Sequence, residues 1–457
     1  MNEGLDIVDI VFVIIFSFLF IFTSVSLLVS VLEKEIRASK IFLSIIFLNT
    51  LLFLIPFLDF PIQNTIEYIL IGILLICSII LLFPYNYYKQ IKNFSFNNKI
   101  DERDIMFSRI ELKTNSENFV NYYRDKPEKL KIDNEIRKNP GLCSPNSKYY
   151  NPITFNLAEN NFRIIEDLAK HLQMQASEVK QEISPDKISK LLKDKILKLG
   201  AIDCGNTELK DYHKYSFHGR KHNYGEKVNL THKYAIALTV EMNHEMVAAA
   251  PAGSTLLESS RQYLRSGTIA FELAKFINSL GYDALAHIDG NYSVICPLVA
   301  KDAGLGEIGR MGLLMTPKLG PRVRIAVITT DLPLIPDTPC YEPSVIDFCN
   351  ICKKCAYTCP GKAISSNDMI KIKGDLRWQI NQEKCYNYWT VCGTDCGRCM
   401  AICPFSHPDN FIHNIVRKGI KNSMIFRRFA LKMDDFIYGR KPNPKREPDK
   451  LNKYLNK

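Results

Sequence analysis

The sequence predicts an α/β (α+β) domain set between an apolar N-terminal segment and a compact cysteine-rich module. Three observations lead to this. Aliphatic β-type runs, Tyr234–Glu241 (YAIALTVE) and Val323–Thr330 (VRIAVITT), alternate with helical periodicity through residues 150–335. Nine of the 14 cysteines fall between Cys349 and Cys403. Three long apolar stretches lie near the start of the 457-residue chain.

The apolar stretches run roughly Ile10–Leu32, Ile41–Leu58 and Ile66–Phe83. A membrane span needs about 20 apolar residues, so they predict a three-helix transmembrane anchor over 1–90. Acidic Glu3, Asp6 and Asp9 precede the first stretch where a signal peptide would carry basic residues, and no twin arginine is present. Lys34, Arg37 and Lys40 fill the first loop, the second loop has no basic residue, and Lys89, Lys92, Lys99 and Arg103 follow the third span. Basic loops stay on the cytoplasmic side. The expectation is a multi-pass protein of the cell membrane, in contact with membrane lipid, with its large remaining part on the cytoplasmic side. Tyr68, Tyr85, Tyr87 and Tyr88 are candidate interfacial anchors.

Residues 91–150 read as a linker and an irregular N-terminal arm, rich in Asn, Lys, Tyr and Pro. Asn160–Leu199 has apolar residues three and four apart, with a second helix start at Ser184–Pro185. Leu256–Leu280 reads as a long amphipathic helix ended by Gly281, and Tyr282–Ile288 as a strand. The net charge of +11 divides into −1 over residues 1–100 and +12 over the rest. These basic residues are dispersed, as on an ordinary soluble surface, and no nucleic-acid partner is expected. His213, His218, His222 and His232 match no metal-ligand spacing and read as a mobile polar loop. Gly304, Gly306 and Gly309 fit G-x-G-x-x-G, but they lack the strand–helix setting of a dinucleotide site. They read as a tight loop that lets backbone approach a flat cofactor.

The cysteines carry the chemistry. Cys349, Cys352, Cys355 and Cys359 form C-x2-C-x2-C-x3-C before Pro360, and Cys396, Cys399 and Cys403 repeat C-x2-C-x3-C before Pro404. This is bacterial-ferredoxin spacing, in which three thiolates hold one [4Fe–4S] cluster and the fourth crosses to its neighbour. Zinc sites favour separated C-x2-C pairs. The reading is a ferredoxin-like 2×[4Fe–4S] module. Cys349, Cys352, Cys355 and Cys403 bind one cluster; Cys359, Cys396, Cys399 and either Cys385 or Cys392 bind the other. Cys77, Cys143, Cys204, Cys296 and Cys340 are scattered and show no disulfide framework.

Further segments carry a resemblance. They are ERDIMFSR (102–109), NYYRDKPE (121–128), DNEIRKNPGL (133–142), AAAP (248–251), GYDAL (281–285), AGLGEIGRMG (303–312), TPKLGPRVR (316–324), DLPL (331–334) and DDFIYGR (434–440). In this order, around the paired cysteine runs, the chain resembles the corrinoid- and iron–sulfur-dependent reductive dehalogenases over roughly residues 101–440. The resemblance implies a nitroreductase-like corrinoid-binding catalytic domain at 151–335, the cluster module at 336–410, and a C-terminal extension, 411–457, packing on the catalytic domain. It implies two [4Fe–4S] clusters and a corrinoid (cobalamin), with an organohalide substrate and a donor such as ferredoxin, flavodoxin or quinol.

The family's catalytic Tyr and Arg fall on Tyr263 and Arg324. Tyr263 would donate the proton, and Arg324 beside it would lower the phenol pKa. A third family position, usually Asn or Lys, falls on Asp289, a departure from the pattern. Gly304, Gly306, Gly309, Arg310 and Pro317 lie in the segments expected to contact the corrinoid. The cluster cysteine of the family's KC-x3-W sequence falls on Cys385, which leaves Cys392 spare. Two other readings share features of this sequence: an epoxyqueuosine-reductase-like corrinoid enzyme and a membrane-bound ferredoxin-type relay. A relay would not need the roughly 200 residues between the anchor and the clusters.

Overall fold

The computed structural model describes residues 6–58, 61–85, 96–220, 223–449 and 451. Glu3, Tyr87, Tyr88, Lys89, Lys92 and His222 lie outside the described residues. The chain folds as two compact units, one of residues 1–90 with 409–442, the other of residues 91–408 with 443–457.

The first unit begins with helices α1 (Ile7–Leu32), α2 (Ile36–Phe53) and α3 (Gln63–Leu82). Asp6 caps α1 by accepting from the backbone of Val8 and Asp9, satisfying donors that the first turn leaves open. A 3₁₀ turn at Ile55–Phe57 carries the second apolar segment on from α2. All three segments are long and apolar enough to cross a membrane.

In the second unit the arm expected to be irregular is helical: α4 (Met106–Glu111), α5 (Glu117–Asp125) and α6 (Pro127–Arg137). Its order comes from a buried ion network together with apolar clusters around Met106 and Ile136 and around Tyr122 and Tyr123. Arg109 Nε and Nη2 donate to Asp133 Oδ2 and Oδ1 at 2.9 and 2.6 Å, and Nη1 donates to Glu383 at 3.0 Å. Next come α7 (Pro152–Ala169) and α8 (Pro185–Lys198), the latter beginning at the second helix start expected at Ser184–Pro185. Both helices start with proline at the first position, where no amide hydrogen is needed.

The core is a four-stranded antiparallel sheet of β1 (Asp203–Glu208), β2 (Tyr234–Glu241), β3 (Ala284–His287) and β6 (Val323–Thr330), ordered β1-β2-β6-β3. Between these strands in sequence lie α9 (His244–Ala248), α10 (Gly253–Ser279), α11 (Cys296–Asp302) and the small pair β4 (Glu307–Ile308) and β5 (Leu314–Met315). Side chains alternate across a strand. Ile236, Leu238, Val240, Ala326 and Ile328 face the core shared with Leu273, Ala274 and Ile277 of α10. Ala235, Ala237 and Val327 face the core shared with Leu298, Val299 and Ala300 of α11. The sheet is thus a middle layer, and Arg324 lies in register opposite Val240 on the α10 side.

The cysteine module contains α12 (Pro343–Cys352), α13 (Lys354–Thr358), the hairpin β7 (Ile370–Ile372) and β8 (Asp375–Arg377), α14 (Gln382–Cys392) and α15 (Arg398–Ala401). Gly397 caps α15 at φ +65°, and a Cβ there would come within 2.7 Å of Thr255 Cγ2 on α10. Only glycine allows that approach without displacement.

The final helices, α16 (Phe411–Asn422) and α17 (Met424–Ile437), belong to the first unit. Residues 443–457, the end of the expected C-terminal extension, group with the second unit. Polar contacts tie α16 and α17 to the apolar helices: Met424 N donates to Tyr85 O at 2.9 Å, Arg37 Nε donates to Phe436 O at 3.1 Å, and His413 Nε2 lies 3.1 Å from Glu33 Oε1.

Candidate functional site

The eight predicted cluster cysteines form two neighbouring sets. Burial pushes the Cys403 thiol well above its ordinary range, and the thiols of Cys349, Cys352 and Cys355 add to the rise. Burial pushes Cys385 and Cys399 up to about 12, with Cys359 a neighbour of both. Cys355 is influenced by Cys399 as well as by Cys349 and Cys352, so the two sets adjoin. Among the described residues no three of these sulfurs lie within 4.8 Å of one another. A tetrahedral zinc with bonds of about 2.3 Å would bring its thiolates to about 3.8 Å, so the spread fits a larger, multi-iron group.

The surroundings fit an anionic cluster. A small cavity is lined by Cys349, Cys352, Cys355, Cys403 and Arg310. Arg310 is fully buried, donates from Nε to Cys349 O at 3.0 Å and from Nη1 to Ser365 O and Asn367 O, and leaves Nη2 without a hydrogen-bond partner among the described residues. Arg398 is buried as well. Buried cations are stable when an opposing charge accompanies them. The Cys392 thiol is fully buried and hydrogen-bonded within α14 and its cap, to Trp389 O, Thr394 O and Thr394 Oγ1, and it neighbours both Cys385 and Cys396.

The pocket lies beside the sheet. A cavity of about 220 Å³ is lined by Tyr263, Tyr292, Tyr215, Cys296 and Arg324, among mainly aliphatic neighbours. A second cavity of about 540 Å³ shares Ile295 and Pro297 with it and extends along Gly309, Gly312, Arg377 and Trp378. Arg377 Nε is buried there without a partner among the described residues. The paired cavities, their glycine edge and this unmet donor fit a large planar cofactor with polar substituents.

Tyr263 comes from α10 and Arg324 from the facing edge of β6. The guanidinium carbon lies 4.5 Å from the centre of the phenol ring, within cation–π range. Arg324 Nη2 also donates to Ser259 Oγ and, at 2.6 Å, to Asp395 Oδ2. The expected lowering of the Tyr263 pKa does not prevail. Burial outweighs the pull of Arg324, Asp289 adds to the rise, and the phenol is pushed up to about 12. Asp289, in the turn after β3, is raised by burial against the opposing influence of Arg220 and Arg324.

The structure thus brings Tyr263, Arg324 and Asp289 into one electrostatic neighbourhood and separates the remaining predicted contacts. Gly309 lines the larger cavity. Gly304 and Gly306 instead press against their own chain, where added Cβ atoms would meet Thr338 O at 2.8 Å and Met315 O at 2.3 Å. Pro317 sits in an exposed turn bridged by Thr316 and Gly320, and Arg310 serves the cysteine module as described. His213 and His232 do not lie in a mobile loop: His213 contacts Asp302 and His232 contacts Thr329, both buried and in different places. Sequence reasoning missed Arg220, Tyr292 and Asp395. Asp395 carried one signal, a lone carboxylate directly before Cys396.

The chain has the fold of a reductive dehalogenase with a 4Fe–4S ferredoxin-like module. A catabolic reductive dehalogenase solved with 3-bromo-4-hydroxybenzoic acid matches 75% of this chain and 47% of its own, with a TM-score of 0.63 and 24% identity. The 4Fe-4S dicluster domain model matches residues 348–407. In sequence, the chain is 36% identical over 216 residues to the tetrachloroethene reductive dehalogenase of Sulfurospirillum multivorans, covering 46% of this chain and 42% of that protein. The corresponding protein of Desulfitobacterium hafniense is 33% identical over 224 residues, covering 46% and 40%. The aligned part is thus less than half the length of either relative. An epoxyqueuosine reductase of Staphylococcus aureus matches over 92 residues at 33% identity, 20% of each chain.

Proposed function

We propose that the protein is a membrane-anchored reductive dehalogenase, an oxidoreductase that replaces a halogen of a small organohalide with hydrogen. The observation that carries this reading is the stacked Tyr263–Arg324 pair in a cavity that shares Ile295 and Pro297 with a larger one walled in part by Arg377 and Trp378 of the cysteine module. The helix-backed antiparallel sheet supports describing residues 151–335 as a nitroreductase-like corrinoid-binding domain. Cys349, Cys352, Cys355 and Cys403 would hold one [4Fe–4S] cluster, and Cys359, Cys385, Cys396 and Cys399 the other. Gly309, Gly312 and Arg377 would border the corrinoid.

Bound together, the corrinoid supplies a reducible cobalt and the clusters supply electrons singly. The net reaction takes two electrons and one proton, breaks carbon–halogen and forms carbon–hydrogen, and releases halide. Tyr263 remains protonated at neutral pH because burial raises its pKa, so its Oη holds the proton to be delivered. Arg324 lies over the ring and stabilises the phenolate left behind. Asp289 holds its proton more readily than an exposed carboxylate, which limits repulsion of the departing halide. Aliphatic walls around Tyr263 exclude water from the transfer.

The spans α1–α3 would anchor the chain in the cell membrane with the catalytic domain on the cytoplasmic side, where ferredoxin, flavodoxin or a quinol would donate electrons. The test is metal analysis of anaerobically purified protein, with halide release from tetrachloroethene and a bromophenol under reduced viologen. The proposal expects about eight irons and one cobalt per chain and halide release. Iron without cobalt and no halide would overturn it.

A further inference from the structure

Helices α16 and α17 are inverted for a surface in water. His413, Arg417 and Arg427 are turned inward, Arg427 completely, while Phe411 is 72% and Phe436 54% exposed. The outward residues follow helical spacing: Phe411 and Ile415 on α16, then Ile425, Phe429 and Phe436 on α17. Lys418, Lys421, Arg428 and Lys432 are exposed among them. A row of aromatic and aliphatic side chains interleaved with long basic ones suits the boundary between acyl chains and anionic headgroups.

The position of the pair within its unit supports the same occupant. At one end of the helical anchor, Gln63 Nε2 bonds Asp9 and Asn64 Nδ2 bonds Asp6, so α3 begins beside the start of α1. The end of α3 therefore lies at the same level as the end of α1. The attachments of α16 and α17 are all at this second end: Glu33 and Arg37 at the α1–α2 turn, and Tyr85 after α3. Lys34, Arg37 and Lys40 add positive charge at the same end. From this placement, the outward apolar row and the basic residues, we infer that α16 and α17 form an interfacial hairpin that lies on an anionic lipid surface beside the spans. The inference rests on the reading of α1–α3 as membrane spans.

Hydroxyl-radical footprinting of the full-length chain, one copy per nanodisc, tests it. Each residue is normalised to its rate in the unfolded chain, with exposed Tyr357 of the cysteine module as the reference. In phosphatidylglycerol discs Phe411, Phe429 and Phe436 are expected to oxidise much more slowly than Tyr357. In phosphatidylcholine discs that protection should weaken by at least about fivefold, the worth of one basic residue at an anionic surface. Replacing Lys418, Lys421, Arg428 and Lys432 together by Gln should make the two lipids equivalent while keeping the apolar row. Phenylalanines oxidising as fast as Tyr357, with α1–α3 protected, would overturn the inference and leave the spans standing. Solvent-like oxidation of α1–α3 would instead remove the span reading. Equal protection of the unaltered chain in both lipids would overturn the anionic preference. Protection confined to discs holding two chains would assign the face to a second copy and overturn the lipid assignment.

Discussion

Asp395 Oδ2 accepts a hydrogen bond from Arg324 Nη2 at 2.6 Å, so the residue directly before Cys396 is tied to the cation that covers the Tyr263 ring. Ser259 of α10 completes the arrangement by bonding both partners. One guanidinium therefore joins the sheet, the long helix and the cysteine module. Lysine keeps the charge but lacks the planar fork. Arg324→Lys should lose part of this geometry and be less impaired in turnover than Arg324→Ala, measured as kcat/KM with reduced viologen. Equal losses would show that the charge alone contributes nothing without the fork.

Tyr263→Phe keeps the ring beneath Arg324 and removes the proton. Turnover should fall at least about 100-fold, the low end for a general acid, with iron and cobalt contents unchanged. Near-normal turnover on a confirmed substrate would end the proton-donor assignment.

Asp289 is a carboxyl whose pKa burial raises. Its neutral form is present below that raised value and is lost as pH climbs through it, placing a negative charge where halide must depart. The rate of the unaltered protein should therefore fall on this alkaline limb. In Asp289→Asn the limb should vanish until Tyr263 itself ionises, its pKa held up by burial. Superimposable pH–rate profiles for the two proteins would exclude a role for the carboxyl.

Cys385→Ser and Cys392→Ser separate the ligand from its hydrogen-bonded neighbour. Electron paramagnetic resonance of the reduced protein should show one cluster lost or converted in the first and both retained in the second. The opposite pattern would assign Cys392 as the ligand.

Arg109→Ala leaves Asp133, which is fully buried, without its bidentate partner. Breaking such a pair costs about 3–5 kcal/mol. Opening of α4 and α6, followed by amide hydrogen exchange, should become easier by about a hundred- to a few-thousand-fold. Unchanged exchange would show that the arm is held by other contacts.

Strands β2 and β6 were legible to the residue, because continuous aliphatic runs flanked by polar residues have few alternatives. Strand β1 was not, since DCGNTE has no β-type composition. It is held by pairing with β2 and by Asn206 N bonding Asp337 at 2.7 Å. Helices α4–α6 were read as an arm because they are short, and the buried Arg–Asp–Glu network that joins them has no periodicity. Tyr263, Arg324 and Asp289 were reached through resemblance; their convergence depends on contacts between α10, β6 and the β3 turn that no local pattern records. Arg220 stayed hidden for the same reason. It bonds Glu111 at 2.8 Å and acts on Asp289 across 69 residues of sequence.

The hairpin of β7 and β8 changes what the cysteine module can be in evolution. Asp375 accepts from Asn97 N and Asn98 Nδ2 at 2.8 and 3.2 Å, and Arg377 and Trp378 wall the larger cavity. A module that only carried electrons could be exchanged for any ferredoxin of similar potential. This one supplies part of the chamber itself. A foreign ferredoxin grafted in its place would restore the wiring and leave the room without a wall, so drift in the module and drift in the pocket are bound to proceed together.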